Sequence, residues 1–267
     1  MQFISCHDGK LQTLEAAGLK TSPARAFVTG MEALDALAPR QSFARGAIHE
    51  LLFEASHGQP KFVAALIAQT ASSLNLRCSM LDVRCSSFQK AQHPTSNIQH
   101  PILNELLPLI WSDPRGDVYP PALAALGFDL TKLYLLRTET SADEAWAITE
   151  CLRCRGVGTV IAAPQRLSRI VARRLQLAAE RGGTVGILLR QKGRGDSIYA
   201  AATRWLVAPH PGERTVMRWT IQLLHGHGGR VGQTVFLEWC RETNSVRAVE
   251  KLADRSAATT TPARQIA

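Results

Sequence analysis

Between residues 28 and 240 the chain alternates short apolar runs with amphipathic stretches. That alternation predicts a mostly parallel sheet with helices packed on its faces. The apolar runs predict strands at Ile48–Phe53, Leu109–Ser112, Leu133–Leu136, Thr159–Ala163, Val185–Arg190 and Trp205–Ala208. Helices are predicted at Lys61–Ser73, Pro121–Leu126, Ala142–Leu152 and Leu167–Arg181. Ser141, with Glu144 three residues on, forms a capping box at the start of the third helix. The fourth helix carries Leu167, Val171, Leu175 and Ala178 on one side, and Arg166, Arg169 and Arg173 on the other.

The flanks read differently. Residues 1–27 form a short leader, with a helix expected over Lys10–Leu19 and ended by Gly18 and Pro23. Residues 86–101 are polar with two prolines, a surface insertion or linker. Cys78–Val83 reads as a short extra strand. Met217–Leu224 and Thr234–Trp239 are strand-like runs either side of a glycine-rich stretch, His225–Gly232, and together predict a C-terminal β-hairpin over 216–239. The polar residues 241–267 read as a flexible tail. No internal repeat is visible.

A chain of 267 residues buries roughly 75% of its unfolded surface, so it needs no covalent staple. Apolar residues at 45% and charged residues at 20% fit a globular protein. No apolar run approaches the roughly 18 residues of a membrane span, and residues 1–10 lack a signal-peptide pattern. The expected location is the cytoplasm, where the six cysteines are thiols. A net charge of +9 draws polyanions, nucleic acid first among them.

The stretch after Ile48–Phe53 has the setting of a phosphate-binding loop: a strand before it, an apolar helix after it. Such a loop uses glycines to aim backbone N–H groups at phosphate, a lysine for the β/γ oxygens and a hydroxyl for Mg²⁺. Here Gly58 stands at the second glycine. Phe53 takes the first glycine's position, Gln59 the lysine's and Pro60 the hydroxyl's, with Ser56 inside the loop. Phe53 cannot adopt the glycine-only backbone, Gln59 removes a positive charge, and Pro60 removes both a metal ligand and an N–H donor. Thr159–Ala163 ends in Ala and Pro where a metal-facing Asp belongs. The charges that drive phosphoryl transfer are therefore missing, and no catalytic set or cofactor is expected. The plain alternative is an ordinary strand-to-helix turn.

Surrounding segments resemble the RecA fold. Val28–Asp35 and Ala44–Leu51 resemble its approach to the phosphate loop, and Tyr119–Asp129 with Lys132–Leu136 resembles its next helix and strand. Gly186–Gln191 and Ala200–Trp205 resemble the strands either side of a DNA-binding loop. The chain is more closely similar to the ImuA family of RecA-like proteins. Leu152–Gly158, Arg173–Glu180, Ala202–Trp205 and Gly228–Gly232 running into Leu237–Trp239 carry that similarity. The resemblance spans roughly 28–255, with 74–106 unmatched. It implies a RecA-like mostly parallel sheet flanked by helices. It also implies a non-catalytic accessory of SOS-controlled, error-prone translesion synthesis. The implied partners are an ImuB-like relative of Y-family polymerases, RecA and an error-prone replicative-type polymerase.

Arg190, Lys192 and Arg194 occupy a loop that faces DNA in a RecA-like core, and they join Arg166, Arg169 and Arg173 as DNA-binding candidates. Trp219, Arg230 and Trp239 are partner-binding candidates, because aromatics and arginine suit interface hot spots. Core packing is the alternative for both tryptophans. Cys151 and Cys154 read as buried thiols, since one pair falls short of a zinc site. His225 and His227 read as turn residues. Two other functions fit the same features: an ATP-dependent DNA-binding protein and an SOS-linked inhibitor of cell division.

Overall fold

Ile48–Phe53, buried at every position, is strand β1, the middle strand of a nine-stranded sheet in a computed structural model of the protein. The structure describes residues 4–7, 10–13, 26–74, 105–165, 167–193, 201–212 and 215–249. After β1 the chain runs through helix α1 (Lys61–Ser72), strand β2 (Leu109–Ser112), helix α2 (Pro120–Ala125) and strand β3 (Leu133–Leu136). Helix α3 (Ser141–Arg153), strand β4 (Thr159–Ala162), helix α4 (Arg169–Gly182) and strand β5 (Val185–Gln191) follow. Four more strands close the sheet: β6 (Thr203–His210), β7 (Val216–Gly226), β8 (Thr234–Cys240) and β9 (Ser245–Val249).

The sheet order is β9-β8-β7-β6-β1-β5-β4-β2-β3. From β6 to β3 every neighbouring pair is parallel, and from β6 to β9 every pair is antiparallel. Helices cover both faces of the central parallel strands, which explains why they are mostly apolar. One core cluster joins α1 and α2 to Leu51, Trp111, Ile161 and Ile187. The other joins α3 and α4 to Ile48, Ile110, Val160 and Leu188. Alanines at 64, 65, 68 and 71 let α1 lie close to the sheet.

Local chemistry fixes the helix ends. Arg45 donates to Ala71 O at 2.6 Å and to Ser73 O at 2.9 Å, satisfying the carbonyl end of α1 with a cation. Ser168 Oγ accepts from Val171 N at the start of α4, and Gly183 closes it at φ 72°. The cap of α3 is Thr140, one residue before the expected Ser141, and its hydroxyl accepts from Asp143 N at 3.1 Å. Glu144 is thereby freed to turn inward, where Ser112 Oγ donates to it at 2.7 Å.

Two expectations fail. Residues Ile4–His7 and Lys10–Thr13 pair as an antiparallel hairpin, so the leader does not begin a helix at Lys10. Asp8-Gly9 between them is a sequence suited to a two-residue hairpin connection, a signal stronger than the weak helical period. The segment after Arg241 is not all tail. Ser245–Val249 adds a strand to β8, and Arg247 is tied to Glu238. Cys78–Val83, residues 86–101 and residues 250–267 lie outside the described residues. Among the described residues no helix is long and apolar enough to cross a membrane.

Candidate functional site

The carboxyl ends of β1, β4 and β5 open onto a crevice of about 1220 Å³, lined by the β1–α1 turn and the start of α4. Ligands of open parallel sheets bind at such carboxyl-end crevices. Phe53 sits at its floor as the last residue of β1. It is 9% exposed, and its carbonyl accepts from Lys192 N at 2.8 Å. The side chain is therefore a core element at the point where a phosphate cradle needs open backbone. Ala55–His57, including exposed Ser56, forms a single tight turn. Gly58 follows at φ 68°, with nothing within 4 Å of a would-be side chain. Backbone conformation, not crowding, calls for glycine there.

Two positions at the helix start offer no free donor. Pro60 has no N–H, and Lys61 N donates to the Gln59 carbonyl at 2.8 Å. Gln59 is half-buried and lines the crevice.

Lys61 was not singled out by the motif, because it falls two positions past the lysine slot. The first turn of α1 nevertheless aims it at the crevice. Its Nζ lies 3.6 Å from Asp117 Oδ2, and Arg115 Nε lies 3.0 Å from the same oxygen. Asp113, 3% exposed, shapes that segment by accepting from Asp117 N at 2.7 Å. The ion pairs themselves are solvent-facing and contribute little stability. A recess of about 360 Å³ adjoins the crevice beside Ser112, Asp113 and Glu144. The β4 end contributes Ala163 and Pro164, with no carboxylate.

The basic candidates part company. Arg190, expected to face DNA, is 7% exposed and donates to Glu50 Oε1 at 3.1 Å. Arg204 Nε donates to the other oxygen of Glu50 at 2.8 Å. Arg190 lies in a strand buried on both faces, and the carboxylate that receives it is 140 residues away, beyond any local signal. Lys192 is exposed and ion-paired with Glu54 at 3.8 Å. Arg169 and Arg173 are exposed on α4 beside Ile170, itself 74% exposed. Arg166 and Arg194 lie outside the described residues.

The partner-binding candidates also divide. Trp219, 9% exposed, stacks on Phe62 with ring centres 4.6 Å apart. Trp239 meets Phe62 with ring centres 4.9 Å apart and donates from Nε1 to Asn244 Oδ1. Core packing thus claims both, and they brace the first turn of α1 next to Lys61. Arg230 remains exposed, held by its backbone N–H on Leu37 O at 2.9 Å.

Cys151 is buried, and burial pushes its thiol up to about 11, with Cys154 and Glu150 adding to the rise. Cys154 is half-buried. The His225 and His227 rings stand 5.8 Å apart. Among the described residues no group of three or more His, Cys, Asp or Glu side chains is placed to hold a metal.

Over 168 residues the chain is 28% identical to Protein ImuA of Caulobacter vibrioides, in strain NA1000 / CB15N and equally in strain ATCC 19089 / CIP 103742 / CB 15. The match covers 56% of this chain and 69% of the relative. No family model matches the chain.

Proposed function

We propose that this chain, a member of the ImuA family, is a RecA-like accessory protein of damage-induced mutagenesis that works by assembly and not by ATP hydrolysis. It joins an ImuB-like polymerase relative and RecA in support of error-prone translesion synthesis, in the cytoplasm.

The observation that carries this reading is the state of the helix start. The crevice has the position of a nucleotide site, yet Pro60 offers no N–H and Lys61 N is bonded to Gln59 O. No hydroxyl stands at Pro60 to ligate Mg²⁺, and β4 supplies no carboxylate. Phosphoryl transfer depends on positioned charge and metal, and little of either remains.

A second reading, an ATP-dependent DNA-binding protein, draws on Lys61. Its ammonium lines the crevice near Gly58 and supplies one positive charge. Pro60 and the carboxylate-free β4 end still leave Mg²⁺ without a protein ligand there, which favours the first reading.

The test is purification of the full chain with and without its polymerase relative. The expected result is stable co-purification and no phosphate release from Mg-ATP, with or without single-stranded DNA. DNA-stimulated hydrolysis that is lost in Gln59→Ala or Lys61→Ala overturns the proposal.

A further inference from the structure

The C-terminal antiparallel strands bury one face only. Trp205, Val207, Trp219, Ile221, Val235 and Leu237 point into the core. The alternate residues point the other way, and Leu206, Ala208, Leu224 and Phe236 belong to neither core cluster of the described residues.

Strand register lines the outward residues into rows. One row reads His210, Arg218, Glu238, Arg247 across four strands. The next reads Ala208, Thr220, Phe236, and the one after it Leu206, Gln222, Thr234. Glu238, 5% exposed, is clamped by Arg218 Nε and Arg247 Nε, each at 2.7 Å. Burial acts to raise the Glu238 carboxyl, but the two arginines outweigh it and hold it below its usual range. One carboxylate thus fixes two guanidinium groups, and the row keeps a net positive charge. The terminal amino groups of Arg218 make no hydrogen bond among the described residues. Arg247 is 68% exposed. Phe236 stands beside Ala208 and Thr220 in its own row, and the His210 ring meets it edge-on at 5.1 Å.

A protein helix needs a continuous apolar stripe. Here Thr220, Gln222 and Thr234 break up Leu206, Leu224 and Phe236, and the adjacent row is cationic. A polyanion with flat apolar faces fits better, because its phosphates meet fixed guanidinium groups and its bases stack on an aromatic ring.

We infer that single-stranded DNA lies across this face, with phosphates on the Arg218–Arg247 row and a base on Phe236. The choice of DNA over RNA rests on the function proposed above; the placement rests on the face alone.

The test is fluorescence anisotropy of the full chain with a labelled oligothymidylate of about 20 nucleotides, at about 50 and 200 mM salt. Binding is expected to weaken several-fold in Arg247→Gln, with the salt slope reduced by about 1. Phe236→Thr is expected to weaken binding about 10-fold and leave the slope unchanged. Unaltered affinity in Arg247→Gln overturns the inference, and so does loss of binding in Lys192→Gln alone. Arg247 is exposed enough to decide the matter if Phe236→Thr does not fold. Tighter binding of an oligouridylate overturns the assignment to DNA. Co-purification with the polymerase relative is measured on the same variants. If it is lost while DNA binding survives, the face is a protein interface and the inference fails. If DNA binding falls as expected but the wild-type chain never co-purifies, only the functional proposal fails.

Discussion

His49 Nδ1 lies 2.7 Å from Thr203 Oγ1 in the core, across the β1–β6 pairing. Trp205 Nε1 donates to the same hydroxyl at 2.8 Å. The threonine proton is therefore directed at His49 Nδ1. His49 Nε2 faces the Ala44 carbonyl at 2.9 Å and must donate to it, because a carbonyl only accepts. The chain of bonds has one direction, and it requires a neutral imidazole.

Acid should therefore unfold the protein early. Burial lowers the His49 imidazole from its usual 6.5 to about 4. Between those values the unfolded chain takes up a proton that the folded chain refuses. Stability is then full above about pH 6.5 and declines towards pH 4, by about 3 kcal/mol for this group alone. Urea midpoints measured across that window should fall with pH in the wild type and fall distinctly less in His49→Phe. Equal slopes in the two proteins would remove His49 as the cause.

A second buried arrangement makes a sharper demand. Glu50 serves two guanidinium groups with its side chain 2% exposed. In Glu50→Gln both guanidinium groups lose the buried carboxylate they share. Breaking a buried pair in this way costs about 3–5 kcal/mol. Chemical denaturation should show that loss at neutral pH. A change below about 1 kcal/mol would mean that water reaches the cluster.

These two clusters mark where the sequence stops being informative. The central strands were legible because parallel strands covered on both sides are mostly apolar, and β1, β2 and β3 end where their apolar runs end. The turn at Gly58 was legible from glycine chemistry. The fates of Arg190, Trp219 and Trp239 were not. Each depends on a partner distant in sequence: Glu50 for the arginine, Phe62 for the tryptophans. Strand β9 is not legible because Ser245–Val249 is only five residues long within a polar stretch, and pairing with β8 decides its conformation. Lys61 is not legible from the motif, because a motif fixes spacing along the chain, whereas the helix fixes direction in space.

Restoring the missing lysine should not restore chemistry. Gln59→Lys adds the charge, but Pro60 still lacks both a hydroxyl for Mg²⁺ and an N–H for phosphate. Phosphate release from Mg-ATP in the presence of single-stranded DNA should stay at the wild-type background. Measurable turnover from this single change would show that the turn can rearrange into a working cradle.

The Phe62 cluster leads to a comparison of two tryptophans. Trp219 is buried and lies nearly parallel to Phe62, with an interplanar angle of 12°. Trp239 is half-buried and tilted at 37°. Both come from the C-terminal strands, and Phe62 is the second residue of α1, so the stack ties those strands to the turn that carries Gly58. Trp219→Ala removes a buried ring and should cost about 3–5 kcal/mol. Trp239→Ala leaves its space partly open to water and should cost less. The Trp219 change should also loosen the helix start, so amide exchange should quicken at Ala64 and Ala65, the first hydrogen-bonded amides of α1, more than at Ala71 near its far end. Uniform quickening along α1, or equal costs for the two substitutions, would mean that the stack packs the core without holding the turn in place.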